Sequence, residues 1–182
     1  MLYNNIMDYI LLVFEILAGY FFIVFVVLRL VAPFMGFRGF KVPLDVPEEI
    51  MNTIADLENK SVNQQVYLEA VYKIILYKTN YQWKHTRFQA ALRLNRLFVK
   101  DLQNIWSTPN FLYCTAINYL SFTMLVKSKY FKIEDIKVRY VFLNFVVHQY
   151  MQVKVGGTWV DFDPAGAGIR GFNLGNYASF FG

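Results

Sequence analysis

The stretch Tyr9–Phe34, YILLVFEILAGYFFIVFVVLRLVAPF, leaves the chain little choice in how it folds. No residue from Ile16 to Leu28 carries a charge, and about 20 apolar residues cross the hydrocarbon core of a bilayer as a helix. In that solvent every backbone N–H and C=O must be satisfied within the segment, which a helix does and an open strand does not. A cleaved signal peptide is the competing reading, but no positive stretch precedes the run and no small-residue cleavage site is evident. The expectation is one transmembrane helix, ending near Ala32-Pro33 and contacting lipid through residues 9–34. Residues 1–35 then form the anchor, 36–47 a linker and 48–182 a separate domain. Glu15 costs a few kcal/mol if it faces lipid at depth. It lies near an interface, or faces a protein partner within the membrane, or marks a self-association seam.

Hydrophobic residues make up 56% of the 182 and charged residues 17%, more apolar than an ordinary soluble domain, and the excess sits at the N-terminus. The formal charge is +5, yet Met1–Met35 holds only Asp8, Glu15 and Arg29 and nets −1, so the remainder carries +6. Its Lys and Arg residues are scattered, which suits an anionic surface and gives no reason to expect a specific nucleic acid. Only acids precede the core of the span, whereas Arg29, Arg38 and Lys41 follow it, a bias that places the C-terminal domain in the cytoplasm. An outward-facing domain, or a virion membrane, stays open. One cysteine allows no intrachain disulfide, and with two histidines it makes a zinc site or other metal cofactor site unexpected.

Beyond the linker, Pro47–Leu57 reads as a short helix, and Ser61-Val-Asn-Gln64 as a capping box opening a helix to about Lys78. A helix is expected over Ala90–Ile105, and His85 before it is assigned no role. Phe111–Lys127 is apolar but short for a span and interrupted by Asn118, so a helix buried in a soluble core fits, with Cys114 in its first turn. A second membrane span is the weaker alternative. Ile133–Leu143, Phe145–Val155 and Thr158–Phe162 read as three strands, and the sum is an α+β domain. Gly166-Ala-Gly168-Ile-Arg-Gly171 matches the dinucleotide-binding spacing literally. Only 11 residues follow it and none is acidic, so it reads as a flexible glycine-rich tail.

The chemistry concentrates in His148–Pro164, HQYMQVKVGGTWVDFDP. A Gly-Gly loop is a strong hairpin signal, because both central residues need positive φ. If Val155 pairs with Thr158, Tyr150 stands opposite Asp163, and His148 becomes a diagonal neighbour of Asp163, about 7–8 Å away at the backbone. Asp161 falls opposite Gln152, further from His148. A histidine oriented by a carboxylate lacks only a nucleophile, and Cys114 is the sole thiol. A helix N-terminus and a nearby imidazolium both stabilise a thiolate, and first-turn N–H groups can stabilise an oxyanion. Gln103 and Trp106 are the side-chain candidates for that last role. The expected chemistry is acyl transfer through a thioester. Each residue alone also has a plain structural reading: a packed cysteine, a satisfied strand histidine, an aspartate that opens a turn before proline.

From about Trp106 to Pro164 the chain resembles the transglutaminase-like superfamily of papain-type cysteine enzymes. That family carries a Cys at the start of a buried helix, then strands with His-x-aromatic, a Gly turn, Trp, and Asp before a small residue or Pro. Here these are Cys114, His148, Tyr150, Gly156-Gly157, Trp159 and Asp163-Pro164, with the family's fifteen residues between His and Asp. The resemblance implies a helical lobe whose Cys helix packs on an antiparallel sheet, with Cys114 as nucleophile, His148 as base and Asp163 as orienting group. It implies a peptide- or amide-like substrate, no cofactor, and a cleft near Tyr113, Tyr150 and Trp159. Hydrolysis of the thiol-protease or amidase kind is expected ahead of transglutamination. Tyr113 and Thr115 stand where members often have Gly and an acidic residue, and Tyr150 replaces a more usual Trp. The alternative is a catalytically inactive module of the same fold, structural or assembly-related, at a cellular or viral membrane.

Overall fold

The computed structural model describes residues 2–36, 39–79, 94–108, 113–143, 146–170 and 173–179. His85, Pro109-Asn110, Gly171 and Phe180-Phe181 lie outside them. The N-terminal rod consists of α1 (Leu2–Phe22), a π-helical turn (Ile23–Val27) and α2 (Leu28–Val31). Within it Met7–Val31, 25 residues, is long and apolar enough by length and composition to cross a bilayer. Phe14, Leu30 and Tyr9 are 68–70% exposed, and Glu15 is exposed as well. Among the described residues the rod meets the rest of the molecule towards its end, where Val24 is buried and Phe21 and Phe25 meet Phe142. Residues 39–47 hold no helix or strand, but Phe40 is buried against Tyr119 and Phe122.

Two amphipathic helices follow, α3 (Glu48–Lys60) and α4 (Gln64–Thr79). The Ser61–Gln64 capping box does not form. Asn63 caps α4 instead, its side-chain oxygen accepting from the Val66 N–H at 2.9 Å, while the buried Ser61 Oγ has no hydrogen-bond partner among the described residues. An Asn one residue before the helix satisfies a first-turn donor as well as Ser does, and places the start two residues later. The expected helix over Ala90–Ile105 is also corrected. Its described part is a 3₁₀ turn, Leu94–Phe98, and a separate α5 (Leu102–Ser107), because Asp101 accepts from the Asn104 N–H and opens a new helix.

α6 (Cys114–Val126) has ten of its thirteen residues buried, as a helix that is apolar on all sides requires. β1 (Ile136–Leu143), β2 (Val146–Val155) and β3 (Thr158–Phe162) form a three-stranded antiparallel sheet in the order β1-β2-β3. The chain is therefore α+β, with α6 packed on β2, α4 packed on α6, and Tyr72 of α4 edge-on to Phe162 of β3. Gly156 and Gly157 have φ of 56° and 91°, and Val155 pairs with Thr158 across their turn. Met151, Val153 and Phe162 are fully buried from the sheet side, Ile117, Leu120 and Met124 from α6.

Gly166–Arg170 is no flexible tail. α7 (Pro164–Arg170) begins at once, with Pro164 in its first position, where a missing N–H costs nothing. After it, residues 173–179 fold back on the sheet: the Gly175 N–H donates to Asp161 O at 2.9 Å, and Tyr177 stacks on Tyr150 with ring centroids 4.4 Å apart.

Candidate active site

His148 and Asp163 meet where β3 leaves the sheet. Gln152 pairs with Asp161 in the register, and two residues beyond β3's last rung, at Met151–Phe162, the chain is free to turn into α7. Asp163 caps that helix: its Oδ1 accepts from the Gly166 N–H at 2.8 Å. Its Oδ2 accepts from His148 Nε2 at 2.8 Å and from the Ala178 N–H at 3.0 Å. Three donors from three segments thus converge on one carboxylate that is fully buried. Asp161, on the same face of β3, accepts from Gln152 Nε2 at 2.9 Å, and Gln152 Oε1 accepts from Arg139 Nε. Asp161 serves a half-exposed surface chain of hydrogen bonds and takes no part in the pair.

His148 is 4% exposed. Burial alone would lower its pKa. Its hydrogen bonds to Asp163 and Cys114, with the charges of both, outweigh that and push it up to about 10. Since Nε2 is committed to Asp163, Nδ1 is the ring nitrogen left for the thiol, and the carboxylate fixes which tautomer faces it. Cys114 is the first residue of α6 and half-buried. The residue before it, Tyr113, is the N-cap, and its side chain makes no capping hydrogen bond. Burial and then the neighbouring Cys114 push the Tyr113 phenol up.

The other expected site residues are less concentrated. Tyr150 lies on the same face as His148, but Tyr177 covers its ring and burial pushes its phenol up to about 12, so it walls the site rather than opening it. Trp159 pairs with Lys154 and holds the Lys137 ammonium 3.9 Å over its ring. Four residues along a strand separate it from Asp163, about 13 Å, which takes it out of a cleft at the thiol. Gln103 is exposed and lines a groove of about 420 Å³ with Pro43, Val46, Lys100 and Tyr119. That groove does not include Cys114, His148 or Asp163. Trp106 is buried beneath the Lys78 ammonium, 3.9 Å from its ring. Among the described residues no group of three His, Cys, Asp or Glu side chains could hold a metal ion.

Comparison of the chain with protein-family models, with curated proteins and with solved structures finds no match.

Four contributors were missed in the sequence. Gly166 sits so close to Asp163 that a Cβ there would overlap the carboxylate and stand 3.0 Å from Ala178 Cβ. Ala178 supplies the N–H noted above. Tyr72 of α4 is buried, its ring edge-on to Phe162, and burial followed by the Asp163 charge pushes its phenol up to about 12. Asn118, one turn after Cys114, donates to the Gln149 carbonyl at 2.6 Å and ties the Cys helix to the strand of His148. The Asp-Pro-x-Gly spacing was a readable signal for an N-cap followed by a close approach; the other three join segments far apart in sequence.

Proposed function

We propose that the protein is a membrane-anchored cysteine acyl-transfer enzyme of transglutaminase-like type, using Cys114, His148 and Asp163. What carries this reading is one buried histidine that bonds a carboxylate through Nε2 and a thiol at a helix start on its other side. The Cys114 sulfur attacks an acyl carbonyl, the first-turn N–H groups of α6 receive the developing oxyanion, and His148 delivers a proton to the leaving group. Water then attacks the thioester, with His148 taking its proton, and the thiol is regenerated. Asp163 holds the imidazole and stays unprotonated throughout. The resemblance suggests a peptide-like amide as substrate, and hydrolysis needs no second amine site. The rod supports anchoring by its length, and the positive charges that follow it favour a cytoplasmic domain over an outward-facing one. Glu15, exposed on the rod, would be the point of contact for a partner in the membrane.

The test is a burst experiment with p-nitrophenyl acetate. The expected result is one nitrophenolate released per chain before steady state, with acetyl on Cys114. Absence of a burst, with the thiol unmodified, favours the alternative: a fold kept as a non-catalytic membrane module. A partly buried Tyr113 directly before the thiol is the observation on that side.

A further inference from the structure

The end of the sheet that carries His148 is also the end that touches the apolar rod. Phe142 stacks on Phe25 with centroids 6.0 Å apart and lies 6.3 Å from Phe21. Phe142 pairs with Val147, and the next rung pairs Val141 with His148. The His148 backbone is therefore one rung, about 3.3 Å along the strand, from a residue in contact with the membrane-spanning candidate, and its side chain leaves the opposite face of the sheet.

Depth follows from helix geometry. Twenty-five residues at 1.5 Å each make a rod of about 37 Å, against a hydrocarbon core of about 30 Å. If the core is centred on Met7–Val31, Phe25 lies about 9 Å inside the Val31 end and below the headgroup boundary. If the core begins at Met7, it ends near Val26, and Phe25 lies at the boundary. Either placement puts Phe142 at or beneath the headgroups.

The rod is also held at a fixed angle rather than swinging on a tether. Phe34 closes it in the left-handed region at φ 64°, a conformation that survives only when neighbours impose it. Gln149 Nε2 donates to Phe34 O at 2.6 Å, Tyr140 Oη donates to Gly36 O at 3.1 Å, and the Phe34 ring stacks 3.9 Å from Tyr119. Arg29 lies 4.1 Å over the Tyr140 ring. Gln149 is the residue after His148 and points to the other face of β2, so one strand fixes the site and the anchor turn together.

We propose that the Cys114 site acts on the acyl ester of a membrane lipid at the headgroup boundary. This rests on the thiol reading above and narrows its substrate. Glycerolipid ester carbonyls lie at that depth, whereas a soluble peptide would have to reach the thiol across the headgroups. The Cys114 sulfur attacks the ester carbonyl, forming the C–S bond as the C–O bond breaks, and the His148 proton passes to the departing lysolipid oxygen. Water then cleaves the thioester and releases the fatty acid.

The experiment uses the full chain in vesicles of dioleoylphosphatidylcholine, with two readouts: Cys114 alkylation by iodoacetamide at pH 6, and oleoyl transfer followed by peptide mapping and oleate release. The expected result is ready alkylation together with an oleoyl group on Cys114 or oleate release that is lost in Cys114→Ser. Ready alkylation with neither lipid product overturns the lipid proposal and leaves the thiol reading standing, as does cleavage confined to a lipid-anchored peptide added to the same vesicles. Slow alkylation with neither product removes both.

Discussion

The two ends of the β2–β3 hairpin are built by different means. At the Gly156-Gly157 end the side chains are held mainly within the three strands: the turn, the Val155–Thr158 pair, Trp159 against Lys137, and Asp161 in a chain of surface hydrogen bonds. At the His148 end separate segments supply the partners. Asp163 is held by the histidine fifteen residues back, by the α7 it caps and by Ala178 fifteen residues on. Two aspartates two positions apart on one strand face thus have opposite environments, one half-exposed and one with 0% exposure. What separates them is how many distant segments converge, because a buried carboxylate is tolerable only with its partners in place.

The largest expected effect tests that contrast directly. Asp163→Ala leaves an imidazolium buried without its partner and should cost about 3–5 kcal/mol in urea unfolding. Asp161→Ala should cost under about 1 kcal/mol; equal costs would break the comparison. Next, Gly166→Ala should destabilise by about 1–3 kcal/mol through overpacking against the carboxylate, despite alanine's better helix propensity. A stabilised variant would mean that the carboxylate can move aside freely. Third is a pH effect. His148 is raised from 6.5 to about 10, so its ion pair stabilises the fold fully below pH 6.5 and fades as the pH rises through about 10. The Tm should fall across that window, and Asp163→Asn should flatten the fall; an unchanged slope counts against the pair. Smallest and at the other end, Gly157→Ala should cost about 1 kcal/mol for its φ of 91°, with Cys114 alkylation unaffected.

The same division explains what was legible in the sequence. The local end could be read completely: Gly-Gly demands positive φ, and the alternation then sets every rung, including Asp163 rather than Asp161 beside His148. Cys114 at a helix start was also legible, since the apolar run had to begin near it. Asn63 displaced Ser61 as the cap because both residue types satisfy the same donor, and only packing decides between them. The tail was misread because glycine is judged by its freedom, whereas Gly166 is used for its lack of a Cβ. Ala178, Tyr72 and the Gln149–Phe34 contact carry no sequence mark, as each depends on the fold bringing remote segments together.

The most direct measurement of the central claim is the pH profile of Cys114 alkylation by iodoacetamide in the full chain. A free thiol with an ordinary pKa near 8.5 loses roughly 75-fold in rate between pH 8 and pH 6, following its thiolate fraction. The Cys114–His148–Asp163 arrangement predicts a shallower loss over that interval, and a steeper one in Asp163→Asn. A wild-type rate that drops like the free thiol's, unchanged by the Asp163 substitution, would contradict it.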